Sequence, residues 1–131
     1  MNQNDHKAYF ISQQAIILNS DGKFLILRNQ NGWMLPGGRM EYRDVGWFDA
    51  LQREVREETA LEILHVKRIC DVDISPTGKT YAVIFECEVK NSSEMQLSQE
   101  HQEYAWTTVN ELDTYPFAYP DLPRKLKKVL Q

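Results

Sequence analysis

Residues 35–61, LPGGRMEYRDVGWFDALQREVREETAL, decide how this chain is read. From about Val45 or Gly46 to Thr59 the pattern is helical, with Trp47, Phe48, Leu51 and Val55 on one face. The same segment carries Glu54, Glu57 and Glu58 at positions i, i+3 and i+4, the spacing that brings side chains together on a helix. Like charges at such spacing cost a helix roughly 0.2–0.5 kcal/mol per pair. At about 100° per residue, Glu54 and Glu58 fall on or beside the apolar face, whereas Asp49 and Arg56 point away from it. A solvated helix puts its charges opposite the apolar stripe, so these glutamates turn toward a cleft beside the core. A divalent metal is the compensating charge such an arrangement asks for. The plain alternative is a solvated acidic cluster neutralised by Arg53 and Arg56.

Upstream, Trp33 to Leu35 is a short apolar strand that Pro36-Gly37-Gly38 forbids from continuing, and an isolated glycine pair can also be a plain turn. Residues 8–18, AYFISQQAIIL, and 23–28, KFLILR, read as two strands joined into a hairpin by Asn19-Ser20-Asp21-Gly22. Downstream, residues 61–74 and 80–89 flank the turn Ser75-Pro76-Thr77-Gly78-Lys79 and predict a second, longer hairpin. Residues 91–99 are a polar loop, 103–108 a short strand and 109–112 a helical turn. Residues 121–130 form a terminal helix with Leu122, Leu126, Val129 and Leu130 on one face and basic residues on the other. Strand pairs around one strong helix and a terminal helix give an α/β layered domain, helices covering a mixed sheet.

The chain of 131 residues fits a single domain spanning 1–131, with 42% apolar and 26% charged residues, no repeat and no linker. A net charge of −4 argues against a general electrostatic hold on nucleic acid, so an anionic substrate needs a cation. The first ten residues lack a secretory signal and no apolar run reaches membrane-spanning length, which makes cytoplasmic the expected location. Cys70 and Cys87 sit alone in apolar segments and are expected to be buried free thiols.

Gly38, the acidic Asp44 and the run Arg53-Glu54-Val55-Arg56-Glu57-Glu58-Thr59-Ala60-Leu61 together resemble the Nudix box of the Nudix hydrolases, and Trp33 to Gly38 with Glu41 look like the strand and loop that lead into it. Three departures stand out: Asp44 replaces a glutamate, the segment from there to Arg53 is one residue longer, and Ala60 replaces the final glycine. The longer segment puts the seat of the loop from Arg43 to Gly46, and any role of Asp44, in question. Ala60 matters less if the helix ends a residue later or without a left-handed cap.

The resemblance implies a Nudix-type α/β/α sandwich with a central mixed β-sheet, and hydrolysis of the diphosphate linkage in a nucleoside diphosphate or triphosphate derivative, dependent on Mg²⁺ or Mn²⁺. Carried over residue by residue, Glu54, Glu57 and Glu58 match metal ligands, joined by the carbonyl of Gly37 or Gly38, and Arg53 matches the arginine that orients the glutamates. The base that activates water is a glutamate of the box or one of Glu100 and Glu103, with Glu100 favoured. Arg28, Trp33, Phe117 and Tyr119 are candidates for holding the substrate, although the three tryptophans and the loop of Tyr115, Phe117 and Tyr119 also suit packing. His6, His65 and His101 have no ligand spacing and suit surface or packing roles, with His101 near a phosphate as the rarer reading. The expected partner is a small nucleotide-type diphosphate, with no membrane and no nucleic acid, and the family's habit of pairing makes a homodimer an expectation. The rival readings are a non-catalytic nucleotide-sensing or protein-binding module on the same fold, and a hydrolase of a non-nucleotide diphosphate.

Overall fold

The computed structural model describes residues 5–131, so the first four residues of the N-terminal stretch read for a secretory signal lie outside the described ones. In chain order the elements are β1 (Phe10–Ile17), β2 (Phe24–Asn29), β3 (Gly32–Met34), β4 (Gly37–Arg39), α1 (Trp47–Thr59), β5 (Ile63–Ile74), β6 (Thr80–Val89), β7 (Glu103–Thr107) and α2 (Leu122–Leu130). Two 3-10 turns, Ser92–Glu94 and Val109–Thr114, punctuate the second half. The strands make a four-stranded sheet ordered β4-β1-β6-β5 and a three-stranded sheet ordered β3-β2-β7. The first is mixed, because β1 runs parallel to β6 and antiparallel to β4.

The first hairpin does not form as the sequence suggests. Its turn is present, with Asn19 N–H donating to Lys23 C=O and Gly22 N–H to Asn19 C=O, but only Leu18 and Phe24 bridge the two strands. The reason is that β4 and β6 occupy both edges of β1, so β2 peels away and pairs with β3 and β7 instead. The second hairpin forms as read: β5 and β6 pair antiparallel around Ser75–Lys79, with register shifts along β5. The glycine pair is also corrected. β3 does stop at Met34, but Gly37 and Gly38 belong to the short strand β4 rather than to a loop, facing Gln14 and Gln13 of β1.

β1 and β2 are apolar on both faces, and this sets the layering. Ala15, Ile17, Leu25 and Leu27 pack with Leu51 and Val55 of α1, whereas Ile16, Phe24 and Ile26 pack with Trp33, Leu112, Leu122 and Leu126 on the α2 side. The strands therefore lie between a helix on each side, the expected α/β/α arrangement. Cys87 is buried as expected and its thiol is pushed up to about 12 by burial, whereas Cys70 is only half-buried. Among the described residues no helix is long and apolar enough to cross a membrane.

Candidate active site

The inner face of α1 is where apolar periodicity and charge collide. Ala50, Leu51 and Val55 are buried there, and the next turn on the same face presents Glu58, only 6% exposed. Its Oε1 accepts 2.7 Å from the Gly37 N–H, yet burial outweighs that bond and raises the Glu58 carboxyl to about 8. Glu58 Oε2 lies 3.6 Å from Nε2 of the buried His101, a contact too long for a good hydrogen bond. Burial holds that imidazole below its ordinary value. Glu54 is half-buried, its carboxyl raised by burial against the opposing pull of Arg53. A Cβ on Gly38 would stand 2.7 Å from the Glu54 carboxyl carbon, so only glycine in β4 lets this carboxylate settle over the strand. Glu57, one turn from Glu54 on the solvent side, is exposed.

Arg53 ties the helix to the loop before it. Its Nε and Nη2 fork onto the two oxygens of Asp44 at 2.9 and 3.0 Å, while Nη1 reaches Glu54 at 3.0, Glu41 at 3.2 and Glu57 at 3.4 Å. A planar guanidinium suits such a two-pronged grip. The bond from Arg53 and a second from the Glu41 N–H hold the Asp44 carboxyl down at about 2, and Asp44 in turn raises Arg53. Asp44 is one methylene shorter than the glutamate it replaces and sits in a segment one residue longer, and it still reaches the arginine. Ala60 also keeps what the glycine would supply: it caps α1 in the left-handed conformation at φ 61°, its N–H donating to Arg56 C=O. The cap the sequence left open is therefore left-handed, and an alanine bears its cost.

No three His, Cys, Asp or Glu side chains among the described residues are already gathered as a ligand set. The Arg53 guanidinium stands between the carboxylates instead, with Arg43 bridging Glu41 at 2.9 and Glu57 at 3.3 Å. The chemistry of the donors nevertheless fits a hard divalent cation: carboxylate oxygens on one helix face, a backbone strand against them, and a buried glutamate left without full charge compensation.

The remaining candidates divide. Glu103 is bound through Oε2 by Arg28 Nε at 2.9 Å, with Gln102 taking Arg28 Nη1 at 2.7 Å, so these three form one cluster where β2 ends beside the start of β7. Glu100 is exposed in the turn just before β7, next to His101, and its charge adds to the upward shift of Glu58. Trp33 is 6% exposed and packs edge-on against Tyr115, and Phe117 packs in the same cluster and bridges to Trp33. Trp33 is a core residue of the α2 side, and Phe117 is partly buried against the same core. Tyr119 is 57% exposed and borders a groove of about 650 Å³ between the four-stranded sheet and α2.

Strand register builds the floor of that groove. One row across the sheet runs Gln14, Ile84, Asp71 and the next runs Arg39, Ser12, Ala82, Asp73, all lining it. Lys125 of α2 reaches down to Asp71 at 3.2 and Asp73 at 2.8 Å. Burial lowers Lys125, but the two aspartates more than offset it and leave it raised. The sequence reading missed these residues. The Asp71-Val72-Asp73 alternation was the available signal, since i and i+2 on a strand share a face, but nothing local in the chain pointed to Lys125 as their partner. At the β4 end the groove is lined by Gly38, the residue over which Glu54 lies.

A family model described as the NUDIX domain matches residues 9–130. The chain belongs to the NUDIX family. No curated protein sequence matches it, but solved structures do. The MutT protein of Methanosarcina mazei Go1 is 29% identical with a TM-score of 0.75, over 95% of this chain and 94% of that one. An ADP-ribose pyrophosphatase of Streptococcus suis 89-1591, 23% identical over 92% of this chain and 89% of that one, superposes with a TM-score of 0.74. The NUDIX domain of Shewanella oneidensis NrtR, crystallised with ADP ribose, is 16% identical over 100% and 94% of the two chains, with a TM-score of 0.74. The last two share the fold with this Nudix chain.

Proposed function

We propose that this Nudix pyrophosphohydrolase cleaves the diphosphate linkage of a nucleoside diphosphate or triphosphate derivative with Mg²⁺ or Mn²⁺ held by Glu54, Glu57 and Glu58 and a carbonyl of Gly37 or Gly38. The observation that carries this reading is the position of Gly38, with the Glu54 carboxylate over it and the groove opening beside it. Charge gives the substrate a direction. Arg39 stands at the β4 end of the floor and Asp71 and Asp73 at the β5 end, roughly 14 Å away across three strand spacings. The polyanionic diphosphate belongs at the β4 end beside the glutamates, and the neutral nucleoside extends under Tyr119 toward β5. The MutT, ADP-ribose pyrophosphatase and ADP-ribose-bound relatives support a nucleotide-type substrate.

A bound divalent cation would neutralise the diphosphate and lower the pKa of a coordinated water. The protein's own residues do the rest. Arg53, gripped by Asp44, keeps Glu54 and Glu57 turned to the same side. Gly37 fixes Glu58 against β4. Glu100 takes the proton of the attacking water, because Glu103 is already engaged by Arg28.

The test is release of phosphate or nucleotide from nucleoside triphosphates, nucleotide sugars, ADP-ribose and non-nucleotide diphosphates, with Mg²⁺, Mn²⁺ or chelator. Turnover of a nucleotide member is expected only with metal. Glu57→Gln and Glu58→Gln should each lower it by more than about 100-fold, the upper end for residues one step removed from a metal. Activity surviving both substitutions would refute the mechanism, and nucleotide binding without turnover under either metal would favour the sensing module.

A further inference from the structure

Resting on the reading that Glu58 ligates the metal and Glu100 activates water, we infer that His101 is a positioning residue for both, its imidazole joining the helix carboxylate to the turn that carries the base. The observation is a buried imidazole between two polar partners. His101 is 8% exposed, with Nδ1 3.4 Å from Ser98 Oγ and Nε2 3.6 Å from Glu58 Oε2. The backbone on either side is fixed. Gln96 N–H donates to Thr59 C=O at 2.9 Å and Ser98 N–H to Glu58 C=O at 3.1 Å, so the segment before β7 takes up carbonyls that the end of α1 leaves without an intrahelical partner. His101 N–H donates to Ser98 C=O at 3.3 Å and Gln102 N–H to Arg28 C=O at 2.8 Å, which closes the turn and ties it to β2. Glu100 is exposed on that turn, and the next side chain, His101, is folded inward.

Donor and acceptor chemistry fixes the direction of the two contacts. A carboxylate that binds a cation only accepts hydrogen bonds, so Nε2 carries the proton, Nδ1 accepts, and the Ser98 hydroxyl donates. Glu58 Oε1 already has the Gly37 N–H at 2.7 Å. His101 supplies the donor at the second oxygen, where a buried carboxylate would otherwise go short of compensation. The contact is a few tenths of an ångström beyond hydrogen-bonding range. Hydrogen bonds in catalytic sites often run long in the free enzyme and tighten with substrate bound. Removing a group that orients a ligand in this way costs about 10- to 100-fold in metal affinity or activity.

Three substitutions separate hydrogen bonding from packing. His101→Gln sets an amide N–H near the place of Nε2, His101→Asn sets one near Nδ1, and His101→Phe keeps a ring and removes both nitrogens. Mn²⁺ affinity, read by electron paramagnetic resonance without nucleotide, should fall about 10-fold or more in His101→Phe and His101→Asn and stay close to wild type in His101→Gln. At saturating Mn²⁺, His101→Phe should lower kcat about 10- to 100-fold with KM nearly unchanged, because no residue of 96–102 lines the groove. A packing role alone predicts the opposite order, with His101→Phe tolerated and His101→Gln impaired; that order, or equal loss in all three, would overturn the inference. Should His101→Phe fail to fold, Ser98→Ala carries the test: it leaves the ring, removes the partner that fixes its tautomer, and should weaken Mn²⁺ binding by a few-fold, whereas unchanged binding would overturn the inference. A wild-type chain that binds no Mn²⁺ would refute the metal reading and the inference together. Metal-dependent turnover that His101→Phe leaves intact would refute the inference alone.

Discussion

The two faces of the four-stranded sheet put charge to different use. On the α1 face, Ala15, Ile17, Leu51 and Val55 close a dense core, and Glu58, Glu54 and Arg53 are pressed against it and tied to strand, loop and one another. On the α2 face, the core of Ile16, Ile84, Leu122 and Leu126 stops short, and two rows of mostly polar side chains lie open beneath Tyr119 and Lys125. The first face ties its charges to the helix, the strand and the loop before it. The second gathers Asp71 and Asp73 on Lys125 at one end and leaves Tyr119 exposed beside them. Gly37 and Gly38 stand where the two meet: a side chain on Gly37 would strike the β1 backbone, and one on Gly38 would displace the Glu54 carboxylate.

The largest way to break this contrast is at Gly37. Its φ of 148° is one L-residues rarely adopt, and a Cβ there would drive into the Gln13 carbonyl. Gly37→Ala is expected to unpair β4 and cost about 3 kcal/mol or more, whereas Ser12→Ala on the groove floor should cost no more than about 0.5 kcal/mol. Denaturant titration of both variants checks the difference. Next, Asp44→Asn removes the charge that Arg53 grips and should lower activity by about 10- to 100-fold while leaving the unfolding midpoint nearly in place. A loss of activity matched by an equal loss of stability would make Asp44 merely structural.

A pH series then separates the faces. The folded Glu58 carboxyl titrates at about 8 against an ordinary 4.5. A carboxyl raised on folding favours the folded state fully below its unfolded value, and the contribution is lost as pH rises through the folded one. With chelator present, the melting temperature should fall between pH 4.5 and 8, and Glu58→Gln should flatten that slope. The smallest effect is expected at Ala60. An L-residue in the left-handed region is strained by roughly 1 kcal/mol, so Ala60→Gly should stabilise the protein by up to that amount with turnover unchanged.

The α1 face was legible because its signal is local. Glu54, Glu57 and Glu58 lie within two helical turns, their tilt toward the apolar stripe follows from 100° periodicity, and burial of Glu58 agrees with it. Even the departures from the family pattern proved local, since Asp44 still reaches Arg53 and Ala60 still caps the helix. The other face was illegible because strand order assembles it. Nothing in KFLILR says that β1 has already given both its edges to β4 and β6, which is why β2 leaves the predicted hairpin. Lys125 likewise read as one cation in a solvated run, and only the packing of α2 over β5 brings it to Asp71 and Asp73. The burial of Trp33 and the partial burial of Phe117 were illegible for the same reason: burial is a tertiary property, and aromatic character suits a core and a cleft equally.

The central claim is that the carboxylates of α1 hold a divalent cation against β4. Titration of Mn²⁺ followed by electron paramagnetic resonance, with a non-hydrolysable nucleotide analogue present, tests it most directly. The account predicts saturable binding by the wild-type chain and its loss in the Glu57→Gln, Glu58→Gln double variant. Binding of equal tightness in that variant, or none in the wild-type chain, would contradict it.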